Sequence, residues 1–161
     1  MNFLENYHGQ HFISSQAGAS GGKDTDSRAN FCREFEPALA EYASGADVLI
    51  QRDYHAENLI WLPERAGAAR VGLLDFQDAM LGHRAYDRVS LLQDARRDVP
   101  LDIEEAMLAR YSAATGMEQE PFRAAYRVLG VQRNLRILGV FARLCIRDGK
   151  TTYIDLSPRV W

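Results

Sequence analysis

The sequence predicts an α+β fold in which a small β element holds polar loops against a mostly helical layer. Three observations carry that reading. Apolar residues recur at helical spacing on both sides of a central stretch. Within that stretch, between residues 48 and 74, they gather instead into three runs too short for helices. The chain has 161 residues, 47% hydrophobic and 25% charged, enough to bury one core and ordinary for a globular domain.

From the start of the chain, residues 14–27 (SSQAGASGGKDTDS) are rich in Gly, Ser and Ala with no apolar period, and read as a flexible linker behind a short N-terminal arm. The expected division is therefore an arm and linker over 1–27 and one lobe over 28–161. Phe31, Phe35, Leu39 and Tyr42 fall on one face of a helix closed by Gly45. Residues 48–50, 59–62 and 71–74 are the β-prone runs. The polar turn over 63–70 joins the second and third as a hairpin, so the loops 52–58 and 75–82 emerge on the same side. Beyond Tyr86 the pattern is helical: Val89 and Leu92, then Ile103, Met107, Leu108 and Tyr111, with breaks at Pro100 and Gly116. Phe122, Tyr126 and Leu129 continue it, as do Leu135, Leu138, Phe141, Leu144 and Cys145.

Charge and cysteine usage narrow the function classes. A net charge of −3 gives no general attraction to nucleic acid or anionic membrane. No apolar run reaches the roughly 20 residues that span a bilayer, and the first residues lack a secretion signal. Cys32 and Cys145 lack metal-ligand spacing and read as reduced core residues, which fits a cytoplasmic protein.

The chemistry concentrates in two segments, Gln51-Arg52-Asp53-Tyr54-His55-Ala56-Glu57-Asn58 and Leu74-Asp75-Phe76-Gln77-Asp78. Phosphoryl transfer of the kinase type needs a carboxylate to orient the attacking hydroxyl and oxygen ligands to hold magnesium on the nucleotide phosphates. The kinase catalytic loop H-R-D-x-x-x-x-N is matched at its Arg, Asp and Asn by Arg52, Asp53 and Asn58. Asp75, before Phe76, stands where the D-F-G motif carries its magnesium-binding Asp. Each half alone is a weak signal, since Asp and Asn are common turn residues. In this order and joined by a hairpin, the two halves are specific.

Here the chain resembles the aminoglycoside phosphotransferase and choline kinase-like family, which has the protein-kinase fold. The closest branch is the bacterial kinases that phosphorylate N-acetylmuramate and N-acetylglucosamine at the anomeric hydroxyl. The segments that carry the resemblance are RDYHAENLIWLP, VGLLDFQDAMLGHRAYDRVSLLQDARRDVP and QRNLRILGVFARLCIRDGK. It implies a kinase-like C-terminal lobe, with the N-terminal lobe absent. It also implies ATP as phosphoryl donor, Mg2+ as cofactor and a small sugar-like molecule as partner and acceptor. Asp53 would be the catalytic base with Arg52 beside it, and Asn58 and Asp75 the magnesium ligands. His55, Gln77 and Asp78 would be substrate-binding or loop-orienting, with hydrogen bonding inside the loop an equal alternative. Asp87 would brace the catalytic loop from a helix start, where a carboxylate also serves as an ordinary cap.

Two departures qualify the resemblance. Gln51 stands where the family usually has His. Family members are about twice this length, and their nucleotide-covering loop, phosphate-binding Lys and Glu partner have no recognisable counterpart here. A fragment with little activity alone is therefore expected, with self-association through the surface left by the missing lobe. The competing expectation is a non-catalytic binding module that retains the lobe.

Three other features carry less. Residues 18–24, GASGGKD, resemble a P-loop, but only three residues separate Gly18 from Gly22 and Asp24 replaces the hydroxyl residue. His8 and His11 share a helical face with no further ligand. Arg133, Arg136, Arg143 and Arg147 form a basic stripe that reads as a solvated face or as internal ion pairs.

Overall fold

The computed structural model describes residues 23–160. The arm, His8, His11 and most of the linker and of the P-loop-like stretch lie outside the described residues. Helix α1 (Lys23–Tyr42) starts within the stretch expected to be linker, so residues 23–27 are helical. A polar segment without its own apolar period can extend a helix whose later turns are packed. The inward stripe of α1 also differs from the expected one. Leu39 and Ala43 are buried with Phe35 against them, whereas Phe31 and Tyr42 are exposed. The stripe follows i, i+4 spacing through 35 and 39 and on to Ala43 just past the helix, and Phe31 stacks on Phe35 at 5.3 Å between ring centroids instead of reaching the core. The helix ends at Tyr42, ahead of Gly45.

Four short strands follow. Strands β2 (Leu59–Trp61) and β3 (Val71–Leu73) form the expected hairpin, with Leu59 opposite Leu73 and Trp61 opposite Val71. Strand β1 (Val48–Ile50) pairs antiparallel with β4 (Met80–Gly82), which the sequence reading had placed within a loop. Nothing local marks Met-Leu-Gly as a strand, and its partner lies about thirty residues back. Gly82 is needed there. A Cβ at that position would collide with Ile50 Cδ1, and Ile50 is completely buried.

Three helices complete the layer: α2 (Tyr86–Leu92), α3 (Leu101–Thr115) and α4 (Gln119–Asp148). Pro100 precedes α3, and Gly116 closes it at φ 69° in the left-handed region that glycine tolerates. The 30 residues of α4 span roughly 45 Å, so a single helix reaches and packs against α1, α2 and α3. Its first half buries Phe122, Tyr126 and Leu129 in the main core with Ile50, Tyr86 and Val89. Its second half, at Phe141, meets Ala95 and Val160 in a smaller cluster, which holds the terminal 3₁₀ segment Thr151–Arg159 in place.

Both cysteines are free and half-buried, so neither is a core residue as expected. The Cys145 thiol reaches the Lys150 carbonyl at 3.2 Å, just past the C-terminus of α4. Among the described residues, no helix is long and apolar enough to cross a membrane.

Candidate active site

The loop from β1 to β2 turns on Arg52, whose φ of 70° is a left-handed conformation costly for a residue with a Cβ. Side chains from α2 hold it there. Asp87 accepts the Gln51 N–H at 2.9 Å on one carboxylate oxygen and the Arg52 N–H at 3.1 Å on the other. One turn further along the same helix, the Ser90 hydroxyl lies 3.2 Å from the Arg52 carbonyl, to which it donates. Asp87 and Ser90 are both buried. No side chain caps α2, whose N-cap is Ala85, so the Asp87 carboxylate serves the loop rather than its own helix. Burial pushes the Asp87 carboxyl above the usual carboxylate range, and the two loop N–H groups act against that rise.

After Arg52 the loop closes on itself. The His55 N–H bonds the Asp53 carbonyl at 3.1 Å, and the Asn58 N–H bonds the His55 carbonyl at 2.9 Å, forming the 3₁₀ turn Ala56–Asn58. The Asn58 side-chain N–H₂ donates to the Asp53 carbonyl at 2.9 Å. That bond fixes which end of the amide is which: the nitrogen faces the loop, and the oxygen is the end left over for another partner. His55 is buried inside the loop with Nε2 3.4 Å from the Asn58 amide nitrogen. Glu57 pairs with Arg96 at 3.3 Å, and Arg96 also reaches Asp94 at 3.5 Å, which ties the far side of the loop to the segment after α2.

The second motif arrives through the hairpin. The Leu74 N–H bonds the Asn58 carbonyl at 2.9 Å, one step beyond the β2–β3 register, so Asp75 leaves the hairpin beside Asn58. Asp75 also has a left-handed φ, 55°. Its carboxylate accepts a hydrogen bond from the Gln77 amide. Residues 75–78 are exposed. Backbone pairing and the Asn58 amide thus bring Asp53, Asn58 and Asp75 into one neighbourhood, with Asp87 behind it. His55 lies within the loop, Gln77 on Asp75, and Asp78 on the exposed turn that follows.

The donor types beside the loop suit a hard cation. An amide oxygen and a carboxylate match Mg2+, which takes one or two protein oxygens and completes its shell with phosphates and water. Among the described residues no group of three or more His, Cys, Asp or Glu comes together, and an ion bound in that manner does not need one.

Sequence reasoning missed Ser90 and the function of one stripe residue. Arg133, from the middle of α4, is buried and donates to the Ser90 hydroxyl oxygen at 3.0 Å. Arg136, three residues on, donates to the Tyr86 hydroxyl at 3.3 Å. Burial pulls the Arg133 guanidinium down from its usual range, while the charge of Asp53 is among the influences that oppose this. The stripe is thus neither wholly solvated nor wholly ion-paired, and its first two arginines turn inward to hydroxyls. The only sequence signal was an arginine in register with apolar core positions of α4.

Comparison with known proteins fits this geometry. Residues 13–128 match the phosphotransferase enzyme family. The chain is 56% identical over 126 residues to an N-acetylmuramate/N-acetylglucosamine kinase of Caulobacter vibrioides, covering 78% of this chain and 35% of that protein. It is 40% identical over 119 residues to the kinase of the same name from Pseudomonas putida, with 70% of this chain and 34% of that one covered. The same figures hold for that of Neisseria meningitidis, 40% over 119 residues with 70% and 34% covered. The match spans about a third of the length of these curated relatives.

Proposed function

The chain belongs to the phosphotransferase enzyme family, and from that premise we propose that it forms the catalytic C-terminal lobe of a protein-kinase-like enzyme. The reaction is transfer of the γ-phosphoryl group of ATP to a hydroxyl of a small amino sugar. The relatives' name, N-acetylmuramate/N-acetylglucosamine kinase, supports that acceptor class. The observation that carries the reading is the way Asp87 pins the backbone on the N-terminal side of Asp53 while the hairpin delivers Asp75 beside Asn58.

In this reading Asp53 orients the acceptor hydroxyl and takes its proton as the new bond to phosphorus forms. Arg52 carries the left-handed turn that aims the loop. Asn58 and Asp75 are the residues that would hold Mg2+, their oxygens being the free end of an oriented amide and an exposed carboxylate. When bound, that ion supplies positive charge against the developing phosphate oxygens. Gln77 orients the Asp75 carboxylate, and His55 stiffens the loop from inside. Asp78, on the exposed turn after Asp75, is assigned to the acceptor side.

The test is a transfer assay with ATP, Mg2+ and candidate amino sugars, run on this chain and on a longer protein that includes it. Asp53→Asn is expected to reduce transfer by about a hundredfold to ten-thousandfold while leaving the chain folded. Transfer that survives Asp53→Asn undiminished would overturn the role given to Asp53, whereas a longer protein that transfers nothing to any amino sugar would favour the non-catalytic binding module.

A further inference from the structure

We propose that Arg133 is a positioning residue for the transfer reaction, acting through Ser90 to hold the Arg52 carbonyl and with it the aim of the loop that bears Asp53. This inference rests on the kinase reading above for its consequence, and on the hydrogen bonds alone for its mechanism.

The directions of those bonds are forced. A guanidinium has donors only, so at 3.0 Å the Ser90 oxygen must accept from Arg133. A hydroxyl has a single hydrogen. With one lone pair occupied by Arg133, that hydrogen is directed to the Arg52 carbonyl 3.2 Å away. Without Arg133, Ser90 is free to rotate and bond back to a carbonyl of its own helix, the usual habit of a helical serine. The Arg52 carbonyl would then lose its partner.

The arrangement matters because Arg52 is held in a conformation it would not adopt alone. Its φ is 70°, and such residues persist only where their surroundings over-determine them. Asp87 grips the N–H side of Arg52 and Ser90 the carbonyl side, so both are needed to fix the residue. Arg133 is also expensive to keep: it is buried, and its NH1 nitrogen has no hydrogen-bond partner. An apolar side chain would fill that place in α4 more cheaply if packing were its sole task.

Hydrogen exchange on the full chain, resolved amide by amide, tests the inference with Ser90→Ala, Arg133→Met, the pair together and Arg133→Lys. Each single loss is expected to speed exchange of the Arg52 N–H by about tenfold, with the buried Leu129 N–H of α4 unchanged as reference. The double change adds little to either single one, and Arg133→Lys, which keeps a donor, restores most of the protection. Unmoved Arg52 exchange in Ser90→Ala overturns the inference, as do losses that multiply to about a hundredfold in the double variant. Ser90→Ala removes one oxygen only, so the test stands even where Arg133→Met does not fold. In the transfer assay the same variants lower kcat and leave KM for ATP unchanged. Faster Arg52 exchange, with no transfer even from the longer protein that includes this chain, sinks the kinase reading and upholds the linkage. Intact transfer with unmoved Arg52 exchange sinks this inference alone.

Discussion

The two halves of the site each turn on a left-handed residue, Arg52 at φ 70° and Asp75 at φ 55°, yet they are held in different ways. Arg52 is fixed from outside its own loop by buried side chains of α2, backed by Arg133 of α4. Asp75 is fixed only locally, by the hairpin pairing at Leu74 and by the neighbouring Gln77, and it stands in solvent. The difference shows where rigidity is supplied. The half assigned to proton transfer is preorganised by the core, so its geometry exists before any ligand arrives. The half assigned to the cation is left to be ordered by what it binds, which suits a carboxylate that must accept a metal and phosphates together.

The sharpest way to break this contrast is Asp87→Ala. Two half-buried N–H groups would lose their acceptor, so a loss of about 2–3 kcal/mol in urea unfolding is expected, together with a loss of transfer. A stability change under about 0.5 kcal/mol would mean that the brace is not a structural element. Gly82→Ala comes next. Its methyl would be driven into Ile50, immediately before the braced loop, at a cost of about 1–3 kcal/mol. Asp75→Asn should change stability by no more than about 0.5 kcal/mol, because the residue is exposed, while magnesium-dependent transfer falls steeply. If calorimetry instead showed Asp75→Asn to be as destabilising as Asp87→Ala, the two halves would not differ as argued.

The smallest effect concerns the helical layer beneath both halves and appears only in alkali. Burial pushes the Tyr126 phenol well above its ordinary value, aided by the Glu104 carboxylate that accepts its hydrogen at 2.7 Å. The fold therefore favours the neutral phenol more than the unfolded chain does. Its contribution is complete below pH about 10 and is lost as pH rises beyond that. Tyr126→Phe should flatten the decline in stability above pH 10, with little change in the protection of the Arg52 amide.

Much of the candidate site's layout was legible without coordinates because local spacing encodes it. Arg52, Asp53 and Asn58 lie within one short loop, and the hairpin that brings Asp75 to them needs only two apolar runs and a polar turn. The apolar periods likewise marked α3 and the first half of α4. Strand β4 was not legible, since three residues pairing across thirty carry no periodic signal. Nor was the inward stripe of α1, where the choice between Phe31 and Ala43 depends on which neighbours cover the helix.

By itself, then, the sequence determined the order and spacing of the groups proposed to react, because residues close along the chain must remain close in space. It also determined that helices would surround a small hairpin. The tertiary structure alone decided what supports the loop. Ser90 and Arg133 are 43 residues apart, and whether a serine or an arginine is solvated or turned onto a distant backbone depends on how α2 crosses α4. That crossing is set by the packing of Tyr86, Val89 and Leu129 in a common core, a summed effect of burial with no local pattern to reveal it.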